Sequence, residues 1–375
     1  VKLYELVDPH KLKEHTDNGY VSVQKHPTLP LFIHNYTHKA QFDPKWGDGT
    51  IDYCRGLITD EDYNIVARPF KKFHNLNTSS IPETMEENLP REGFTPHITK
   101  KIDGSLGILW QFEGHRGIAT RGSFTSPQAI RATKMYDWAT VNHWIFWPEG
   151  YTPLFEIVYS ENRIVVKYDF NGLVMIGMVN NETGAEARMP ALQKIVGDVF
   201  KVTSFTESRS ISELKNENIE NEEGYVVTYH GPVKEPLKIK IKMADYLRLH
   251  KIVTGMNARS VWELLSTGKG LDHLINMPEH FTRWLEQWNR KLTIEFYALY
   301  TAVESIYINR PMYEGGDKSY FRKYRAECAA YFFRQGRDDL KSAFFAMIDG
   351  KDPALAIWGM IEPRGDDRSF REDGE

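Results

Sequence analysis

Cysteine is nearly absent: Cys54 and Cys328 are the two in 375 residues. Far apart and without metal-ligand spacing, they exclude a thiolate zinc knot and a disulfide scaffold, and predict a reducing, cytoplasmic setting. Long apolar runs are missing too. None reaches the ~20 residues that span a bilayer, and Val1-Lys2-Leu3-Tyr4-Glu5-Leu6 lacks the apolar core of a signal peptide. Nor is there an excess of charge of one sign. The 47 Lys and Arg against 51 Asp and Glu leave a net charge of −4, which excludes a histone-like polyanion binder; nucleic-acid contact would need a local basic groove. The chain shows no internal repeat and no long low-complexity linker.

What is present is an ordinary globular balance, 41% hydrophobic and 26% charged, over a length that suggests two domains. The most informative stretch is Thr99-Lys100-Lys101-Ile102-Asp103-Gly104-Ser105-Leu106. A lysine precedes a tight Asp-Gly turn, and an apolar strand, Leu106 to Phe112, follows. The turn predicts Lys101 at a strand end beside a carboxylate, with backbone amides open to a phosphate. A lysine amine attacks only when deprotonated, and burial or a neighbouring cation supplies that form. Lys-x-Asp-Gly by itself also fits a hairpin with a surface lysine.

Other strands carry polar groups where a packed strand should not. Leu31 to Tyr36 reads as a strand with His34 and Tyr36 on one face, able to flank a base or simply to pack. Arg55, Arg68, Lys71 and Lys72 cluster near two strand ends, the second stopped by Pro69; they suit a polyphosphate and equally a solvated edge. Arg121 is expected near the end of a strand from Ile118 to Ser123, and Ser126-Pro127 should start a helix running to about Phe146. Glu156 lies in the middle of an apolar strand, and a buried acid must be paired, hold a metal or accept hydrogen bonds. Arg163 to Tyr168 and Leu173 to Val179 read as further strands, and residues 200–222 as polar and helix-like. Glu223-Gly224-Tyr225-Val226 opens a strand with an acid at its mouth. Leu237-Lys238-Ile239-Lys240-Ile241-Lys242 alternates strictly, so its three lysines share a face that is either a solvated edge or a phosphate site.

Lys101-Ile102-Asp103-Gly104, Phe155-Glu156, Glu223-Gly224-Tyr225-Val226 and Lys240-Ile241-Lys242 resemble, in order and spacing, the covalent nucleotidyltransferase motifs of DNA ligases, RNA ligases and mRNA capping enzymes. More narrowly the chain resembles the phage RNA ligase 1 family, the ATP-dependent tRNA-repair ligases. Cys54-Arg55-Gly56, Arg68-Pro69 through Asn75-Leu76-Asn77, Asn162-Arg163-Ile164-Val165, Asn181-Glu182-Thr183-Gly184 and Lys240 to His250 carry that closer match, and together the pieces cover most of residues 30–250. The resemblance implies an α+β fold: an ATP-grasp-like nucleotidyltransferase domain with antiparallel sheets at 1–250, then an all-α RNA-specificity domain at 251–375. It implies that Lys101 attacks ATP and holds AMP, with Lys240 and Lys242 on the α-phosphate, Arg55 and Lys72 on the outgoing phosphates, and Glu156 on the ribose. It further implies that Asp103, Glu223 and Asp272 work with Mg²⁺ or Mn²⁺, and that AMP passes to an RNA 5′-phosphate before a 3′-hydroxyl seals the strand. A phage-encoded protein in a bacterial host fits this family. Two positions depart from its pattern: His34 stands where the family has a tyrosine near the nucleotide, and Arg121 where it has a lysine.

Beyond His250 the period changes. Phe281, Trp284, Leu285, Trp288, Leu292, Phe296 and Leu299 repeat at helical spacing, as do Leu340, Phe344, Met347 and Ile348. The small β-barrel of DNA ligases and capping enzymes is not offered, so the expected substrates are RNA ends, single-stranded or in loops, tRNA included. Arg322, Lys323, Arg325, Arg334 and Arg337, interleaved with aromatics, suit RNA or a wet helix face. The tail from about 363 is charged and expected to be disordered. Competing readings are a DNA-joining or end-adenylating enzyme and a non-catalytic nucleotide- or RNA-binding protein.

Overall fold

A computed structural model of the chain describes residues 1–42, 49–90, 96–230, 235–271, 274, 277 and 279–364. It divides into two compact units, Val1–Arg248 and Leu249–Glu375. The strands of the first unit are β1 (Val21–Lys25), β2 (Leu31–Tyr36), β3 (Arg55–Asp60), β4 (Ile65–Ala67), β5 (His74–Asn75), β6 (His97–Lys101), β7 (Ser105–Phe112), β8 (His115–Ala119), β9 (Tyr151–Val158), β10 (Gly172–Asn180), β11 (Lys201–Val202), β12 (Phe205–Thr206), β13 (Gly224–Tyr229) and β14 (Leu237–Lys242). They form three sheets, ordered β1-β2-β3-β4, β11-β10-β9-β7-β8 and β12-β6-β13-β14-β5. Pairing is antiparallel throughout except for the edge pairs β10·β11 and β14·β5.

Alternation along the strands sorts the core into layers. Ile108, Trp110 and Leu154 of the second sheet pack with Leu31, Ile33 and Ile58 of the first. The intervening residues Leu109, Phe155 and Ile157 face the other way, onto Ala132 and Tyr136 of the helix Pro127–Thr140. Ser126 caps that helix by accepting from the Ala129 amide, as its sequence predicts. The helix ends at Thr140 rather than near Phe146, and Trp147 folds back to donate Nε1–H to the Tyr136 hydroxyl at 2.8 Å.

Two other expectations differ from what the chain does. Arg163 to Tyr168 is not a strand, because the Val165 and Val166 amides are spent on the Asp103 carboxylate instead of a ladder. Residues 200–222 hold β11, β12 and the short helix Ile211–Asn216 rather than one polar helix. Pairing decides this: β12 zips onto β6, and the Lys100 amide donates to Ser204.

The second unit contains the helices Ala258–Ser266, Glu279–Ile308, Lys318–Phe333, Lys341–Ile348 and Ala354–Met360. Both apolar stripes seen in the sequence are core: Phe281, Leu285 and Leu292 lie in one cluster, Phe344 and Ile348 in another with Val303 and Phe332. The basic run is less free than it reads. Arg325 makes a two-pronged pair with Asp349 at 2.9 and 2.8 Å, and Arg337 pairs with Asp339 at 2.9 and 2.7 Å. Arg322, Lys323 and Arg334 are exposed. Asp272 and the tail from 365 lie outside the described residues.

Gly224 is the tightest point of the third sheet. Its φ is +142°, and a Cβ there would overlap the Ile241 carbonyl of β14. Gly224→Ala should therefore destabilise the first unit by about 2 kcal/mol or more, read as a lower midpoint in urea unfolding followed through that unit.

Candidate active site

Three neighbouring strands put their key residues in one row. Gly224 on β13 is in register with Lys101 on β6 and with Lys242 on β14. With no side chain between them, both lysines reach Glu223. Lys101 Nζ donates to Glu223 Oε2 at 2.8 Å, and Lys242 Nζ lies 2.9 Å from Oε1. The Glu223 side chain is 2% exposed. Burial pushes its pKa up, but the two ammonium groups outweigh that and hold it below the usual carboxylate range. Burial pulls the Lys101 pKa down, and Glu223, Glu156 and Asp103 more than reverse it. Lys101 is thus an ammonium in this structure: burial alone does not supply the free amine that a nucleophile needs.

One row further along, Lys240 opposes Val226 and Asn75. It forms no ion pair among the described residues and lies 5.3 Å from the Phe73 ring centre. Burial, then Arg55, Lys101 and Lys242, lower its pKa to about 7. Lys238, the third lysine of the face, is instead paired with buried Glu186 and sits 3.6 Å over Phe70. The alternating strand is therefore neither a solvated edge nor three equivalent phosphate ligands.

Asp103 is committed to structure. Its Oδ2 accepts from the Val165 and Val166 amides at 2.8 and 2.9 Å, and its Oδ1 from the Tyr246 hydroxyl at 2.9 Å. Its own amide donates to Tyr168 Oη at 2.8 Å. This clamp closes the Asp-Gly turn, and Gly104 lets the turn press against the Ile157 carbonyl and the Glu156 side chain. Burial, then the neighbouring Glu223 and Asp103 charges working against Lys101, raise the Glu156 pKa to about 8. Glu156 is thus a neutral acid at pH 7, able both to donate and to accept a hydrogen bond.

Arg55, Lys72 and Arg121 gather around Tyr36. Arg121 Nη1 donates to the Tyr36 hydroxyl at 3.0 Å, and Arg121 and Lys72 each lie 4.9 Å from its ring centre. Arg121 lies in the turn after β8, not on a strand. Arg55 packs 5.5 Å from Phe73, and its buried Nη1 has no hydrogen-bond partner. A buried unsatisfied guanidinium nitrogen is expensive and fits an anion-binding group. Burial, opposed by Asp52 and aided by Arg121 and Arg55, lowers the Lys72 pKa to about 8.

His34 has a different environment from the one expected. It is 3% exposed, its Nε2 lies 3.0 Å from Thr59 Oγ1, and burial lowers its pKa to about 4, so it is a neutral core side chain. The strand is irregular between His34 and Asn35, and Tyr36 beyond the bulge is the residue among the cations. Tyr168 and Tyr246 brace Asp103, and no spacing in the sequence marks them for that part. Among the described residues no three His, Cys, Asp or Glu side chains are placed to hold a metal ion.

The lysine pKa values give a signed test. Below about pH 7 Lys240 already carries its proton; above it, binding a polyanion must restore one, and Lys72 adds the same demand above about 8. Affinity for inorganic tripolyphosphate should fall by up to about tenfold per pH unit from about pH 7, and by up to about a hundredfold per unit above about 8, where both lysines have lost their protons. Lys240→Ala should flatten the profile. Calorimetry in buffers of differing ionisation enthalpy reads the proton uptake directly.

Comparison with known proteins places the chain. A protein of Thermovibrio ammonificans, provisionally named an RNA ligase, is 26% identical over 65% of this chain and 63% of its own. The RNA ligase of Rhodothermus phage RM378 is 24% identical over 60% of this chain and 66% of its own. The chain thus spans just under two-thirds of the length of each of these relatives. Among solved structures an archaeal ATP-dependent RNA ligase aligns over 89% of both chains at 14% identity, with a TM-score of 0.46. The family model described as RNA ligase matches residues 53–247, which is more than half of the chain and contains Arg55, Lys101, Glu156, Glu223 and Lys242, and the chain belongs to that family.

Proposed function

We propose that the chain is an ATP-dependent RNA ligase whose first unit performs adenylylation and whose helical unit selects the RNA. The row Lys101–Glu223–Lys242 beside Lys240, which has no ion-pair partner among the described residues, is the observation that carries this reading. ATP would lie with its α-phosphate at Lys101, Lys240 and Lys242, its ribose at Glu156, and its outer phosphates at Arg55, Lys72 and Arg121. The Nζ–P bond forms as the bond to pyrophosphate breaks, and the cations hold the charge that develops on the phosphate oxygens. Before attack Lys101 has to lose its proton; burial favours that loss and Glu223 opposes it. A divalent cation, Mg²⁺ or Mn²⁺, would neutralise phosphate charge, held by phosphate oxygens and through water by Glu223, since Asp103 is committed to Val165, Val166 and Tyr246. The AMP then passes to an RNA 5′-phosphate, and a 3′-hydroxyl displaces it. Single-stranded or loop ends, as in broken tRNA, suit a protein whose second unit is helical.

Incubation with ATP labelled at the α-phosphate and Mg²⁺ should give a covalent, acid-labile label. Lys101→Arg should abolish it, because a guanidinium stays protonated. Lys240→Ala and Lys242→Ala should each slow labelling by roughly 10²-fold or more while leaving the protein folded. A label that persists in Lys101→Arg rejects the nucleophile, and near-normal rates in the other two reject the phosphate assignment. Preference for nicked duplex DNA over RNA ends in the sealing assay would reject the substrate class.

A further inference from the structure

A cavity of about 860 Å³ opens beside the adenylylation row, within the range of roughly 300–1,000 Å³ typical of small-ligand pockets. Among the described residues Lys101, Glu223, Lys240 and Lys242 are not in its wall. Lys72 and Phe73 lie in its wall, and the Phe73 ring also carries Arg55 at 5.5 Å and Lys240 at 5.3 Å. Lys238, which points into the cavity wall, shares the β14 face with Lys240 two residues on, about 7 Å away. A track therefore runs along β14 from Lys242, past Lys240 and the phosphate cations, into the cavity.

The charge of the cavity changes along this track. Near Lys72 it is cationic, because Arg55 and Arg121 both act on that lysine while Asp52 is the acid beside it. Deeper in, Lys238 is paired with Glu186, and Arg68 and Lys71 share the single carboxylate of Glu235. A second run of phosphates is poorly served by cations already paired. Phe70 and Phe73 offer apolar surface, and the acids beside them offer acceptors for hydroxyl groups. That combination fits an uncharged nucleoside.

In-line transfer supplies the direction. When Lys101 attacks, pyrophosphate leaves on the side opposite Nζ, towards Arg55 and Lys72. In the next transfer an oxygen of the RNA 5′-phosphate attacks the same phosphorus, and the P–N bond to Lys101 breaks. Lys101 departs as an amine that takes up a proton, and a P–O–P bond forms. The attacking group must enter opposite the leaving nitrogen, and so from the side pyrophosphate left. We propose that the cavity bounded by Lys72, Phe70, Phe73 and Ile81 receives the 5′-terminal nucleoside of the RNA donor strand, with its phosphate on the Arg55–Lys72 end. The assignment rests on the ligase reading above, and the test separates the two.

Ile81 and Glu83 line the cavity and are not part of the adenylylation row, so Ile81→Trp and Glu83→Trp narrow the one without replacing a residue of the other. Lysyl-AMP enzyme, freed of ATP, is discharged either by pyrophosphate or by a 5′-phosphorylated oligoribonucleotide. Discharge by pyrophosphate should stay within about twofold of wild type, and discharge by the RNA should slow about tenfold or more. Unchanged discharge by RNA in both variants overturns the proposal. Parallel loss of both discharges also overturns it, placing these side chains at the phosphate end and not around a nucleoside. In the wild-type protein, RNA bearing 4-thiouridine as its 5′-terminal nucleotide should photo-crosslink to the segment 70–84; a crosslink confined to other segments overturns the subsite whatever the variants do. Absence of any lysyl-AMP in wild type instead removes the ligase reading itself.

Discussion

One buried carboxylate organises the first unit. Glu223 is almost fully enclosed and carries two ammonium groups within 2.9 Å. Removing such an acid would leave two half-buried cations facing each other without compensation, which typically costs several kcal/mol. The arrangement also constrains the backbone. Lys101, Gly224 and Lys242 must share one row across three strands, and the middle residue must have no side chain. The register of β6, β13 and β14 is therefore tied to the electrostatics of the row they build.

A second, neutralising pattern surrounds it. Lys238 is cancelled by Glu186, Arg68 by Glu235 and Lys100 by Glu222. Among the described residues Lys240, Arg55 and Arg121 have no ion-pair partner, and Arg55 and Lys240 lie against the same Phe73 ring. A protein of net charge −4 thus concentrates positive potential at one place, the condition for attracting a polyphosphate without binding polyanions everywhere. Asp103 has a quieter part. Its four hydrogen bonds with residues 165, 166, 168 and 246 fix the turn that presents Lys101.

The helical unit follows other rules. Its aromatic stripes are buried against one another, so they supply stability and not a ligand surface. Of its basic run, the two arginines with bidentate aspartate partners are largely spoken for, and recognition through that face would have to use Arg322, Lys323 and Arg334.

The sequence by itself determined the parts whose cause is local. Alternation in Leu237 to Lys242, the Asp-Gly turn after Lys101, the Ser126-Pro127 helix start and the helical stripes from Phe281 onward each follow from one short window, and each is present. The ordered motifs also made the RNA ligase family legible, because their order and spacing survive where overall identity is low. Tertiary structure decided what depends on partners distant in the chain. It took Arg163 to Tyr168 out of strand geometry by giving its amides to Asp103, and gave the three lysines of one strand three different surroundings. It buried His34 against Thr59 and put Tyr36 among the cations, through a bulge that period-two counting does not register. Charge state went the same way: Lys101 is held as an ammonium because Glu223 lies 122 positions away in sequence and 2.8 Å away in space.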